Sequence, residues 1–386
     1  MSLTSPLFTW FVRVALVVVL LWVVVRWGAA ARTTVLGVLK RVLSLVVVMV
    51  LAVLNVLVPI NAEYGWYSSW SDVWSDLTGN SAVVPAGQTR GLGPGESTRA
   101  HVGQSPLATL PTSARDRVPL QLTNTAVGGY QTFEVPGPKS KYTGQVTVWF
   151  PPEYRRQSSA TFPVLEIFHG YLPAPLATFR VFHMDQVLHR LSEKGRIRLP
   201  ILVIPHWAPD RLDTECVDGG RPGTPAMETW LTQDVPAWIY ENFRVPASRE
   251  AWATMGYSAG GWCSLMATML HPTTYSAAIS LGGYARPDFD PPYVPFGKDT
   301  PAWQRYDLVR LVQHKPPAVA AWTLTSAPDK LSAPSTTALT QAARPPFSVT
   351  PTVLTTGAHR AEVWEPYIEP SLAWLGHASP GFSSTR

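Results

Sequence analysis

Between residues 145 and 375, short apolar runs alternate with longer stretches of helical period, and nothing else in the chain limits its fold as strongly. Residues 145–150 alternate with period two, whereas 163–168, 201–204, 251–255, 277–281, 319–324 and 347–354 read as further strands, most of them buried on both faces. The stretches 183–194, 227–243, 259–270 and 361–375 read as helices; in the first, Val187, Leu188 and Leu191 share one side. Buried strands joined through helices predict an α/β fold with a mainly parallel central sheet covered on both faces. Ligands of such a sheet belong at the carboxyl ends of its strands.

One strand-to-helix junction carries chemistry: Gly256-Tyr257-Ser258-Ala259-Gly260. A sharp turn there brings two backbones close together, so glycine is required at both flanks, and the Ser258 hydroxyl is left at a helix start that favours developing negative charge. A serine hydroxyl needs a base, and the base an acid, which follow in the order serine, acid, histidine in this arrangement. His359 stands after the last strand, in Thr355-Thr356-Gly357-Ala358-His359, just before the final helix, and is the candidate base. His183 and His189 fall on a helix, His271 follows the elbow helix, His377 is in the tail, and His206 ends a strand but precedes the serine. Asp329, in Ser326-Ala327-Pro328-Asp329 after the 319–324 strand, is the candidate acid; Asp299, Asp307, Glu362 and Glu365 are its alternatives. An oxyanion needs two N–H donors, expected from the backbone of Ala259 and from Tyr171 in the turn His169-Gly170-Tyr171, with Leu172 as a neighbouring candidate.

The chain opens on two apolar runs, about 7–25 and 42–60, each long enough to cross a bilayer core as a helix. Gly28-Ala29-Ala30-Ala31 resembles a signal-cleavage region, but Arg26 precedes it and a second full span follows. Between the spans, Arg26, Arg32, Lys40 and Arg41 face no acid, which places that loop in the cytoplasm and both chain ends outside. With Arg13 these bases make up the whole formal charge of +5, so the remaining 26 bases and 26 acids cancel. The pI of 9.2 is therefore a membrane-proximal feature, and no nucleic-acid surface is expected. Tyr64, Trp66, Tyr67, Trp70 and Trp74, beside Glu63, Asp72 and Asp76, read as an interfacial aromatic belt. Residues 79–117, rich in Gly, Pro, Ser and Thr, read as a flexible tether. The expected organisation is thus a membrane hairpin over 1–61, a juxtamembrane segment and linker over 62–117, and a catalytic domain over 118–386.

Over 145–375 the chain resembles the putative-esterase branch of the alpha/beta hydrolases, the group of esterase D and the actinobacterial mycolyltransferases. The resemblance rests on the elbow, on Phe168-His169-Gly170, on Glu228-Thr229-Trp230-Leu231-Thr232 and the residues to Trp238, and on His359 followed by Trp364. It implies an alpha/beta-hydrolase fold, with Ser258 as nucleophile, His359 as base and Ala259 as oxyanion donor. Mycolyltransferases typically carry Asp-Gly-Leu and then a sugar-contacting Arg where this chain has His169-Gly170-Tyr171-Leu172, and Glu where Asp329 stands. Ester chemistry is implied more firmly than transfer to trehalose. Cys216 and Cys263 are expected either to form one disulfide, if the domain lies outside the cytoplasm, or to remain reduced. The His and Cys residues lack metal-ligand spacing, there is no phosphate or dinucleotide motif, and no cofactor is expected.

The leading expectation is a membrane-anchored serine esterase or acyltransferase acting on an ester or acyl-lipid at the outer face of the cell envelope. Mycolyltransferase-like transfer to an envelope sugar is one alternative. A non-catalytic envelope scaffold that retains the fold is the other.

Overall fold

Backbone groups in the apolar runs must be paired once water is excluded, and a ladder of strands pairs them. In the computed structural model ten strands form one sheet: β1 (Arg90–Gly91), β2 (Thr123–Thr125), β3 (Gly128–Pro136), β4 (Thr143–Phe150), β5 (Val164–Phe168), β6 (Ile201–Pro205), β7 (Trp252–Tyr257), β8 (Ala277–Leu281), β9 (Ala320–Ser326) and β10 (Ser348–Leu354). Their order is β1-β10-β9-β8-β7-β5-β6-β4-β3-β2, with β10 through β6 parallel and the strands at both margins antiparallel. This is the alpha/beta-hydrolase arrangement, with β7 leading into the elbow.

The structure describes residues 3–27, 34–64, 67, 69–70, 73–74, 88–171, 179–220, 224–298 and 300–384. Outside them lie Gly28 to Ala31, Arg32, Trp66, Asp72, Asp76, Leu172, Asp299 and the first part of the expected tether. The chain divides into two units. One comprises Met1–Val83 with the short segments Ala327–Lys330 and Thr355–Val363; the other is the rest, including the whole sheet.

In the first unit, helices Pro6–Arg26 and Val35–Tyr64 are long and apolar enough to cross a membrane. Pro6 opens the first where its missing N–H is not needed, and the Ser5 hydroxyl accepts from Phe8 N at 3.2 Å. Large apolar side chains such as Leu7, Trp10, Leu21 and Leu43 stay exposed, an arrangement that costs free energy in water but not in lipid. At the far end of the second helix, Asn61 closes a turn by donating to Tyr67 O (2.8 Å) and accepting from Tyr67 N (2.7 Å). The Phe8 and Trp70 rings meet edge to face.

In the second unit, the central strands are buried along their length and carry Val, Ile, Leu and Ala, as parallel strands between helical layers require. β3 lies near the margin and alternates, with Phe133 and Val135 inward and Glu134 outward. Trp149, Trp207, Trp230, Trp252 and Trp262 are fully buried. The helix expected over 227–243 contains a π turn at Trp230–Asp234 between Met227–Thr229 and Val235–Asn242. Two features relax the helical ladder there: Thr232 Oγ1 donates to Glu228 O (2.7 Å), and Pro236 has no N–H to give.

The tether does not reach residue 117. Arg90 and Gly91 pair with Val349 and Ser348, and Leu92 N donates to Phe347 O at 3.1 Å. The Pro94–Arg99 helix docks through Thr98 Oγ1 to Ala378 O (2.6 Å), while the buried Arg249 guanidinium donates to Thr98, Pro272, Tyr275 and Ala318 carbonyls. Leu107 is buried, and Arg115 bonds the Tyr240 and Val245 carbonyls. Order in this stretch comes from long-range hydrogen bonds rather than from any local period.

Candidate active site

β7 ends at Tyr257, and Ser258 turns the chain with φ 55° and ψ −128°, a conformation strained for any residue with a side chain. Three backbone bonds hold it: Ser258 N donates to Leu281 O (2.8 Å), and its own carbonyl accepts from Gly261 N (2.9 Å) and Trp262 N (3.2 Å), starting helix Ala259–Leu270. The flanking glycines are steric necessities. A Cβ on Gly256 would lie 2.0 Å from Gly260 O, and one on Gly260 would lie 2.1 Å from Phe168 O. Ala259, the first residue of the helix, is buried.

The turn after β5 passes directly beside the serine. A Cβ on Gly170 would meet the Tyr257 ring at 2.6 Å and Ser258 Cβ at 3.4 Å. His169 stiffens this turn: its Nδ1–H donates to Gly170 O (2.8 Å), its ring stacks on Trp207, and its carbonyl accepts from Trp207 Nε1 (2.8 Å). Burial pushes the His169 imidazole down to about 4, against the smaller upward pull of the Gly170 carbonyl, so the ring is neutral near pH 7. Tyr171 is partly exposed, and its hydroxyl donates to Arg211 O at 3.1 Å. His206, the rival base, sits edge-on to His169, and burial lowers its pKa as well.

Elsewhere in the chain, Asp329 and His359 come together. His359 Nδ1 lies 2.9 Å from Asp329 Oδ2, with the two side chains 10% and 2% exposed. A carboxylate on Nδ1 fixes that nitrogen as the N–H and leaves Nε2 as the basic one. Arg360, the next residue, lies with its guanidinium 4.4 Å over the Tyr67 ring. The other acids are otherwise placed: Asp307 pairs with Arg286 (2.9 Å) and caps the Leu308–His314 helix, and Glu362 and Glu365 are exposed.

Glu228, which opens the Glu-Thr-Trp-Leu-Thr stretch of the family resemblance, is a structural hub. It accepts from His271 Nε2 (2.6 Å) at the end of the elbow helix, from Tyr306 OH (2.6 Å) and from Arg305. Burial raises its pKa, but the hydrogen bonds from His271 and Arg305 with the Arg305 charge outweigh burial and hold it at about 2. A depressed carboxyl contributes stability that is complete above its unfolded value and lost as pH falls toward 2. Glu228→Gln is expected to cost about 2 kcal/mol at pH 7, much less at pH 3, by urea unfolding followed through tryptophan fluorescence.

The two cysteines are joined: Cys216 and Cys263 form a disulfide that ties the loop before the π-containing helix to the elbow helix. Trp262 Nε1 reinforces the junction by donating to Glu215 O at 2.9 Å. Among the described residues no cluster of His, Cys, Asp and Glu could hold a metal ion.

A family model described as Putative esterase matches residues 139–368. An uncharacterised protein of Corynebacterium glutamicum is 27% identical over 140 residues, covering 36% of this chain and 32% of that protein. The chain thus matches about a third of that relative's length. Among solved structures, an S-formylglutathione hydrolase from Agrobacterium tumefaciens is similar with a TM-score of 0.57 at 17% identity, over 67% of this chain and 99% of its own. A ferulic acid esterase is similar with a TM-score of 0.55 at 18% identity, over 65% and 99%. The Staphylococcus aureus fluorophosphonate-binding serine hydrolase F follows at 0.52 and 14%, over 65% and 99%. At these identities the likeness is one of fold.

Proposed function

Because the chain belongs to the Putative esterase family, we propose that it is a serine hydrolase of carboxylic esters, working through an acyl-Ser258 intermediate. The observation that carries this reading is the strained Ser258 turn beside Gly170, together with an imidazole whose Nδ1 is held by a carboxylate. In the reaction, His359 Nε2 takes the Ser258 hydroxyl proton as Oγ bonds to the ester carbonyl carbon. The Ala259 and Tyr171 N–H groups receive the oxyanion, and Asp329 stabilises the imidazolium. The imidazolium returns its proton to the departing alcohol, leaving the acyl group on Ser258. Water, or an alcohol acceptor in a transfer reaction, then attacks with the same proton exchange. Hydrolysis and transfer use the same groups.

The helices Pro6–Arg26 and Val35–Tyr64 would anchor the enzyme, with the chain from residue 88 onward outside the cytoplasm. The bases of the loop between the helices and the Cys216–Cys263 disulfide support that orientation. An acyl-lipid ester suits an enzyme held in this way. The test is covalent labelling of the full chain in detergent with a fluorophosphonate probe. One label per chain, abolished by heat unfolding, supports the reading; a folded chain that never labels sinks it.

A further inference from the structure

Asn61, Tyr67 and Arg360 connect the end of the second apolar helix to the residue that follows the base. Asn61 holds the Tyr67 peptide from both sides, at 2.8 and 2.7 Å, so the backbone at residue 67 is set by the helix end. The same Asn61 amide lies 3.5 Å from Leu3 O, which ties in the chain before the first helix. Tyr67 then presents its ring to the Arg360 guanidinium at 4.4 Å. A cation over an aromatic face is held by the ring quadrupole, and the planar guanidinium stacks on it with a defined orientation. Arg360 leaves little slack for its neighbour: its N–H donates to Ala358 O at 3.1 Å, a tight turn spanning His359.

We infer that Tyr67 is a positioning residue for His359, so that the juxtamembrane segment completes the catalytic apparatus instead of serving only as a leash. The inference rests on the serine-hydrolase reading. Its physical basis is the steep dependence of proton transfer on geometry: the imidazole needs Nδ1 on Asp329 and Nε2 aimed at its proton donor, and a loop that drifts by an ångström loses that aim. Asp329 fixes one edge of the ring, at 2.9 Å, while the Tyr67–Arg360 stack fixes the backbone that carries it. Segments Ala327–Lys330 and Thr355–Val363 belong to the same compact unit as the two apolar helices, which is the arrangement this role requires.

The experiment compares wild type, Tyr67→Ala, Tyr67→Phe, Arg360→Gln and the Tyr67→Ala/Arg360→Gln double variant, each as the full chain in detergent micelles. Turnover of p-nitrophenyl butyrate and the rate of fluorophosphonate labelling are both measured. Tyr67→Ala is expected to lower kcat and the labelling rate about tenfold with KM within about twofold, while labelling still runs to one per chain. Tyr67→Phe keeps the ring face and is expected to restore at least half of the rate. Arg360→Gln is expected to match Tyr67→Ala, and the double variant to be no slower than either alone. Rates unchanged in Tyr67→Ala, a loss confined to KM, a Phe variant as slow as Ala, or additive losses in the double variant would each overturn the inference. Should Tyr67→Ala fail to accumulate, Arg360→Gln decides by the same criteria. Full turnover in Ser258→Ala or His359→Ala would instead defeat the serine-hydrolase reading, whatever the Tyr67 variants do.

Discussion

Ser258→Ala is expected to abolish fluorophosphonate labelling and to lower kcat for p-nitrophenyl butyrate by about 10⁵-fold or more, with the fold intact. The size follows from what is removed. The one other side-chain hydroxyl in the elbow is the Tyr257 phenol, whose ring is packed against Phe182 and Trp364. Loss of one oxygen at a half-buried turn leaves the backbone bonds to Leu281, Gly261 and Trp262 in place, so thermal unfolding should move by only a few degrees. A variant that keeps more than about a hundredth of the activity would show that another group attacks the ester.

The second large effect concerns the tautomer of the base. Asp329→Asn is expected to lower kcat by about 10⁴-fold while KM changes little. The carboxylate accepts from His359 Nδ1 at 2.9 Å in a nearly closed environment, and an amide in its place can turn its NH₂ toward the ring. That reverses the tautomer, putting the proton on Nε2, where the lone pair is needed. Asp329→Glu, which retains the charge but shifts it by one methylene, should recover part of the loss. A parallel Asp307→Asn variant should leave kcat within a few-fold, since Asp307 serves Arg286 and a helix start. Equal losses in the two variants would move the acid away from Asp329.

Much of the sheet is legible in the sequence because its central strands are sealed on both faces and therefore nearly pure in apolar residues. The same uniformity hides Glu166 in the middle of β5. Burial pushes that carboxyl up to about 8, partly offset by the Tyr275 hydroxyl donating to it at 2.6 Å, so it can sit neutral among apolar neighbours near pH 7. Its partner comes from a residue 109 positions away, which no local pattern announces. The helix Ser332–Ala342 and the hairpin β2–β3 are likewise silent, the first because Ser and Thr dominate it, the second because Gly128 and Gly129 interrupt its strand signal. Of the candidate site, the serine is marked by sterics acting over five residues, and this is why it can be read locally. The pairing of Asp329 with His359 spans thirty residues, and no local pattern in the sequence separates Asp329 from Asp307, which pairs with Arg286 instead. Arg249, which gathers four carbonyls from distant segments, looks in the sequence like any surface arginine.

Arg90 and Gly91 pair with only Ser348 and Val349 of β10, yet they form that margin of the sheet. A fragment trimmed to start at residue 118 would bare the outer backbone groups at the Phe347–Val349 end of a strand reading Ser-Val-Thr-Pro-Thr-Val-Leu, and separate copies would be free to splice together along that seam. Light scattering should find such a fragment as soluble multimers or precipitate at micromolar concentration, while one begun at residue 88 keeps its flashing and stays monodisperse.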